Sequence, residues 1–472
     1  MEPSGNAITQ LPMTIIFDIY PSYGHQHATY KLAKILKDVG HTIYYIGDDR
    51  YFKNLPSEFN RRSIPSFIFS FMDKGTKDVW KSLKTAFMEK REHEFYHFNQ
   101  QTIQQYDELI EEIKPDVILV DHHYVQKAVL YFKYRIPVVS VQTAPASEMD
   151  VNTPPFCSVH IPNQSLYSKI YIRYLWYSHL LIKKIRFLYY TIVLLGENHL
   201  SDVMRLSKQT GYPLKKNIDY NHYKGNGEFG LKNIPQLLLS PRDFDFPRPL
   251  KRNQYAIGPL IFKESDIKAN EKRYQAVIDH VLKEKTNKDI SIIYCSLGTL
   301  NSFGYKNSIK TFQQVIAIAK RNSNYRVVIS SGEFVDPARL LPTPDNVFLF
   351  KTLPQKHILQ YCDMMIAHGG QNSITECVMN EVPLLIYPFF KGSDLGGNSA
   401  RVVYHGIGTR GFIEKETDVE MEKKIQDVLC NPVYRKNIHA MRLKFEEKNN
   451  STLAVEIIET IVNEYKNGNQ RN

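Results

Sequence analysis

Two rhythms of apolar residues alternate along this chain. In MTIIFDIYP, Met13 to Pro21, a short continuous apolar run ends at a proline and a nearby glycine, the pattern of a buried strand. In ATYKLAKILKDVG, apolar residues return at Leu32, Ile35, Leu36 and Val39 before Gly40, the spacing of a helix and its stop. HTIYYIG then reads as another strand. Strand, helix and strand within about 35 residues make the unit of a parallel sheet. DVILVD (Asp116–Asp121) and IPVVSVQ (Ile136–Gln142) read as further buried strands with a helix between them.

The alternation breaks at SPRDFDFPRPLKRNQYAIGPL (Ser240–Leu260), which mixes prolines with charges as linkers do. It then resumes through ISIIYCSLGT, YRVVISSG, NVFLF, MMIAHGG and PLLIYPFF. The expected organisation is an N-terminal domain over 1–245, a linker over 246–262 and a C-terminal domain over 263–450. A helix over 451–472 crosses back to the N-terminal domain and ends in a short disordered tail, KNGNQRN. The fold class is α/β, with two doubly wound, Rossmann-like parallel sheets. Ligands of such sheets bind beyond the carboxyl ends of the strands, so two facing sheets enclose a cleft lined by those loops.

A length of 472 residues suits more than one core, and 43% hydrophobic content excludes a disordered chain. The net charge of +11 favours anionic partners, or else simply a solvated basic surface. Five scattered cysteines suggest buried thiols rather than a disulfide framework or a metal cluster. The first thirty residues carry no Lys or Arg, and no apolar run reaches the length of a membrane span. A cytoplasmic protein is expected.

The densest chemistry lies in IAHGGQNSITE, Ile366–Glu376. Gly369 and Gly370 allow a tight turn between strand and helix. Ile374, Cys377 and Val378 repeat at helical spacing and should face the sheet, leaving Ser373 and Glu376 towards the cleft mouth. The free N–H groups of a helix start favour an anion such as a diphosphate. The plainer alternative is a glycine turn capped by Asn372 or Ser373.

Around this stretch stand Pro354-Gln355, Pro383, Pro388, and Asp394 followed four residues later by Asn398. In this order, with His368-Gly369-Gly370, Asn372-Ser373 and Glu376, they resemble the donor signature of family 1 inverting glycosyltransferases, the UDP-glycosyltransferases of GT-B fold. CSLGT resembles that family's second phosphate loop, with Thr299 at its hydroxyl position. The resemblance covers most of 285–412. It implies that Thr299, His368, Gly370, Asn372 and Ser373 hold a diphosphate, Glu376 the ribose, and Gln355, Asp394 and Leu395 the rest of the donor, expected to be UDP-glucose. Three departures stand out. Thr352 replaces the tryptophan that stacks on the base, Leu395 replaces a sugar-binding glutamine, and two extra residues precede Asp394.

Near the N-terminus, YPSYGHQHATYKL resembles the family's first loop, which implies that His25 is the general base and Asp121 its partner. Ala28 stands where the family has proline. The chemistry agrees with that assignment. A hydroxyl is a poor nucleophile, an imidazole can take its proton, and a carboxylate on the other ring nitrogen fixes the tautomer. As alternatives, His25-x-His27 or His122-His123 beside Asp121 can be read as hydrolase metal ligands, and a lone His25 as a loop histidine. Asp243-Phe244-Asp245 lies in the linker and reads as structural.

The segment Ser165–Leu195 interleaves Lys169, Arg173, Lys183, Lys184 and Arg186 with Tyr171, Tyr174, Trp176, Phe187, Tyr189 and Tyr190. It reads either as domain-packing helix or as a greasy acceptor wall that touches an anionic bilayer. The expected activity is metal-independent transfer of a hexose from a UDP-sugar to a lipophilic or aromatic small-molecule acceptor, with neither cofactor nor nucleic acid involved. Peripheral contact with the inner face of a membrane is a further expectation. A nucleotide-sugar epimerase of the same fold and a non-catalytic nucleotide-sugar binding protein are the alternatives.

Overall fold

The computed structural model describes residues 11–64, 100–193, 199–219, 229–260, 289–298, 305–389, 393–448 and 451–469, with isolated positions between 275 and 287. The apolar runs become two parallel sheets. The first contains β1 (Thr14–Asp18), β2 (Thr42–Gly47), β3 (Asn60–Ser63), β4 (Val117–Asp121), β5 (Val138–Gln142), β6 (Gln236–Leu238) and β7 (Gln254–Ala256). Its order is β3-β2-β1-β4-β5-β6-β7, every pairing parallel. The second contains β8 (Ser291–Ser296), β9 (Tyr325–Ser330), β10 (Val347–Phe350), β11 (Met364–Ala367), β12 (Leu384–Ile386) and β13 (Gly408–Arg410). It repeats the scheme as β10-β9-β8-β11-β12-β13, again all parallel. In each sheet the winding reverses beside the first strand, between β1 and β4 and between β8 and β11. Those reversals open crevices at the strand ends.

The helices include α1 (Tyr23–Asp38), α2 (Leu166–Val193), α3 (Gln371–Met379), α4 (Asp394–Tyr404) and α5 (Ser451–Asn469). Helix α1 starts at Tyr23, nine residues before its apolar repeat begins at Leu32, and Tyr23, Gly24 and His25 carry no helical pattern. His25 therefore stands in the first turn of a helix and not in the loop before it. The short strand β7 falls inside the span read as linker. Prolines and charges around it mask three residues that pair with β6, and Gln254 Nε2 also donates to Gln236 Oε1 at 2.7 Å. Helix α5 inserts Ala454, Ile458 and Val462 into the apolar core beneath β1, beside Leu32 and Leu36 of α1. It continues through Lys466, whose Nζ donates to Asp116 Oδ1 at 2.8 Å, so the helix takes in residues that read as tail.

A buried ion pair joins the two halves. Arg401 of α4 is 1% exposed and donates from Nη2 to Asp245 Oδ1 at 2.7 Å, with its guanidinium over the Phe246 ring. Arg248 Nε meets the other Asp245 oxygen at 3.0 Å. Burial alone would raise the Asp245 pKa, but the two guanidiniums outweigh it and hold the carboxyl below its usual value. Asp243 instead pairs at the surface with Lys448. Both aspartates of the Asp-x-Asp pattern are thus taken up by cations of the chain. Beside this pair, a Cβ on Gly397 would stand 1.7 Å from the Phe156 carbonyl oxygen. Only glycine lets α4 approach the N-terminal half so closely.

Candidate active site

Asp121 closes β4, at the reversal of the first sheet, and its side chain is 1% exposed. Asp121 Oδ2 lies 2.8 Å from His25 Nδ1. Asp121 Oδ1 accepts the His123 backbone N–H at 2.8 Å and lies 3.3 Å from His123 Nδ1. Desolvation would raise this carboxyl's pKa, but the two imidazoles and their hydrogen bonds hold it well below the usual range. An ionised Asp121 requires the proton on Nδ1 of His25, which leaves Nε2 with a lone pair to accept another. The His25 and His123 rings stand edge to face with centroids 4.7 Å apart.

Each alternative metal set is split, one histidine turning to another partner while the other stays beside Asp121. His27 stacks on Tyr23, and His122 Nδ1 lies 2.9 Å from Ser140 Oγ. Among the described residues, the group close enough to share an ion is instead His25, Asp121 and His123. His123 was read from sequence only as a possible metal ligand and not as a hydrogen-bond partner of Asp121. Its signal was its place two residues after a strand-end aspartate, where a backbone N–H commonly bonds the aspartate side chain.

Across the cleft, the turn after β11 enters α3 at Gly370, and no side chain caps the helix. The first-turn N–H groups are thus not taken up by Asn372 or Ser373, contrary to the plainer reading. Ile374, Cys377 and Val378 are buried against the sheet. Ser373 and Glu376 share one face, where Gln355 Nε2 donates to Ser373 Oγ at 3.1 Å and to Glu376 Oε2 at 2.7 Å. Asn372 Nδ2 reaches the Gly24 carbonyl at 3.0 Å, one residue from His25, so the two constellations meet. Asn398 Nδ2 donates to Gly369 O at 2.9 Å and to Asp394 Oδ2 at 3.0 Å, fixing Asp394 against the glycine turn. Burial raises the Asp394 pKa, opposed by nearby His25. Leu395 is partly buried, and its backbone carbonyl packs against Gly369. Thr299 lies outside the described residues.

His368 is wedged between glycine backbones: a Cβ on Gly298 would come within 2.5 Å of its ring, and one on Gly370 within 2.9 Å. Its buried Nδ1 has no hydrogen-bond partner among the described residues. Burial lowers its pKa to about 4, so at neutral pH it offers an uncharged N–H. Because the unfolded chain binds this proton first, near pH 6.5, stability is complete above that value and falls on acidification towards pH 4. The loss is on the order of 3 kcal/mol for this residue. Thermal unfolding from pH 7 to 4 should therefore fall more steeply in the wild type than in His368→Gln.

Between the two constellations the cleft narrows to a cavity of about 40 Å3, lined by His27, Thr143, Gln371, Asn372 and Glu376 among others. That volume holds a water or two. A cavity of about 530 Å3 lies elsewhere, behind the linker between Ser240 and Tyr404, and touches none of these residues.

Residues 232–453 match the family of UDP-glucoronosyl and UDP-glucosyl transferases. Over this region, a little under half of its length, the chain is similar to the UDP-glycosyltransferases. A UDP-glucosyltransferase of Bacillus subtilis, YdhE, is 27% identical over 163 residues, 34% of this chain and 39% of its own. The NDP-glycosyltransferase YjiC of the same organism is 28% identical over 187 residues, 39% of this chain and 45% of its own. A UDP-glucuronosyltransferase of Pleuronectes platessa is 28% identical over 229 residues, 48% of this chain and 44% of its own. The chain thus spans under half the length of these curated relatives. Solved structures extend the likeness in fold to nearly the whole chain. The calicheamicin glycosyltransferase CalG4 aligns with a TM-score of 0.64 at 17% identity, over 96% of this chain and 99% of its own. The glycosyltransferase VinC, in complex with dTDP, aligns with a TM-score of 0.60 at 12% identity, over 96% of this chain and 100% of its own. The chain has the GT-B fold of these structures.

Proposed function

We propose that this chain is a UDP-glycosyltransferase, an inverting hexosyltransferase that moves glucose from UDP-glucose to a hydroxyl of a lipophilic or aromatic small molecule. The observation that carries the reading is the 2.8 Å contact between His25 and a buried Asp121, placed one residue from the Gly24–Asn372 bridge to the uncapped helix α3. His25 Nε2 takes the acceptor's O–H proton as the acceptor oxygen bonds to the anomeric carbon. The bond from that carbon to the diphosphate oxygen breaks, and UDP leaves with the electron pair from the face opposite attack. Asp121 stabilises the imidazolium formed. The helix start and His368 receive the charge developing on the leaving diphosphate, a role that asks for no metal. Among the described residues no helix is long and apolar enough to cross a membrane.

Isothermal titration with UDP and UDP-glucose tests the donor half. Glu376→Ala is expected to weaken both ligands about tenfold, the loss of one good hydrogen bond to a ribose hydroxyl. Asp394→Ala should weaken UDP-glucose alone. Equal losses for both ligands in Asp394→Ala would remove its sugar role. Leu395→Gln should change the ranking among hexose donors, and an unchanged ranking would mean that Leu395 does not face the sugar.

A further inference from the structure

Helix α2 is 28 residues long, about 42 Å, and only one side of it is packed. Ile172 and Trp176 are buried with Phe156, and Trp176 Nε1 donates to Thr153 O at 2.8 Å. At 100° per residue, Ile170, Tyr174, Tyr177, Leu181, Ile185 and Leu188 fall within about 40° of one line on the opposite side. All six are 57–64% exposed. The exposed Arg173 and Lys184 border this stripe. Of the rings that a domain-packing helix would bury, Trp176 is buried, whereas Tyr174 and Tyr189 are exposed.

We infer that α2 is an interfacial helix that seats the protein on an anionic lipid bilayer. The charge pattern selects this occupant. Residues 151–196 contain no Asp or Glu, while Lys169, Arg173, Lys183, Lys184 and Arg186 all lie within them. A second copy docked stripe to stripe would bring two acid-free cationic helices together, and nothing on either would neutralise them. An anionic leaflet takes the apolar rings to the depth of its acyl boundary and pairs its headgroups with the bordering cations. The length of the stripe matches a helix lying in the plane, and the five cations preclude a span. This inference stands on α2 alone and holds whether or not His25 is a base.

Co-sedimentation of the full chain with phosphatidylcholine vesicles, with and without phosphatidylglycerol, tests it. The protein should pellet with the anionic vesicles and stay in solution with the neutral ones. Arg173→Ala with Lys184→Ala should weaken the partition about 30-fold, the change implied by two cations near a leaflet. Leu181→Glu with Ile185→Glu should abolish it, with circular dichroism and melting temperature unchanged because both side chains are exposed. Failure to pellet with anionic vesicles, or equal pelleting with both kinds, overturns the inference. So does a dimer in sedimentation velocity that Leu181→Glu dissociates, which would assign the stripe to a second copy.

Discussion

His25→Ala is expected to lower turnover by about 100- to 10,000-fold, the range over which a positioned general base acts. UDP affinity should stay within about twofold of wild type, because the proposed diphosphate contacts come from α3 and His368 across the cleft. Asp121→Asn should also slow turnover, by removing the carboxylate that accepts from Nδ1 and settles the tautomer. In that variant His123 keeps its backbone anchor near an amide oxygen, so the loss should be catalytic rather than structural. A His25→Ala protein as fast as wild type with the same acceptor would falsify the base assignment.

The largest stability effect is expected at the seam between the halves. Asp245→Ala leaves Arg401 buried at 1% exposure with its carboxylate partner gone. Removing one partner of a buried pair costs about 3–5 kcal/mol, chiefly from the uncompensated charge that remains. Asp243→Ala, two residues before Asp245, removes only a surface pair with the half-exposed Lys448. Its expected cost is about 0–1 kcal/mol. Urea denaturation of both variants checks the contrast. The midpoint should drop sharply for Asp245→Ala and barely for Asp243→Ala, and equal shifts would show that the seam does not depend on Arg401.

The two sheets were legible because parallel strands buried on both faces must be written as unbroken apolar runs, as in Val117–Val120 and Met364–Ala367. Strand β7 was not, since three residues among prolines and charges form a strand only through their pairing with β6. The start of α1 was hidden for a related reason: Tyr23, Gly24 and His25 have no periodicity to display, and the helix extends over them from its apolar body. The local glycine turn before α3 could be read directly. The 2.8 Å meeting of His25 with Asp121 joins residues 96 positions apart, and spacing alone gives no access to such contacts. His123, the Arg401–Asp245 pair and the side of α2 left unpacked all depend on tertiary placement in the same way.

The stereochemistry of transfer tests the central claim most directly. The wild-type protein and His25→Ala can be supplied with UDP-α-glucose and the flat phenol 4-methylumbelliferone as acceptor probe, and the anomeric proton of the product followed by NMR. An inverting transferase with His25 as base predicts a β-glucoside from the wild type and almost none from His25→Ala, which still binds UDP. An α-glucoside, or a β-glucoside formed equally fast without His25, would contradict the account.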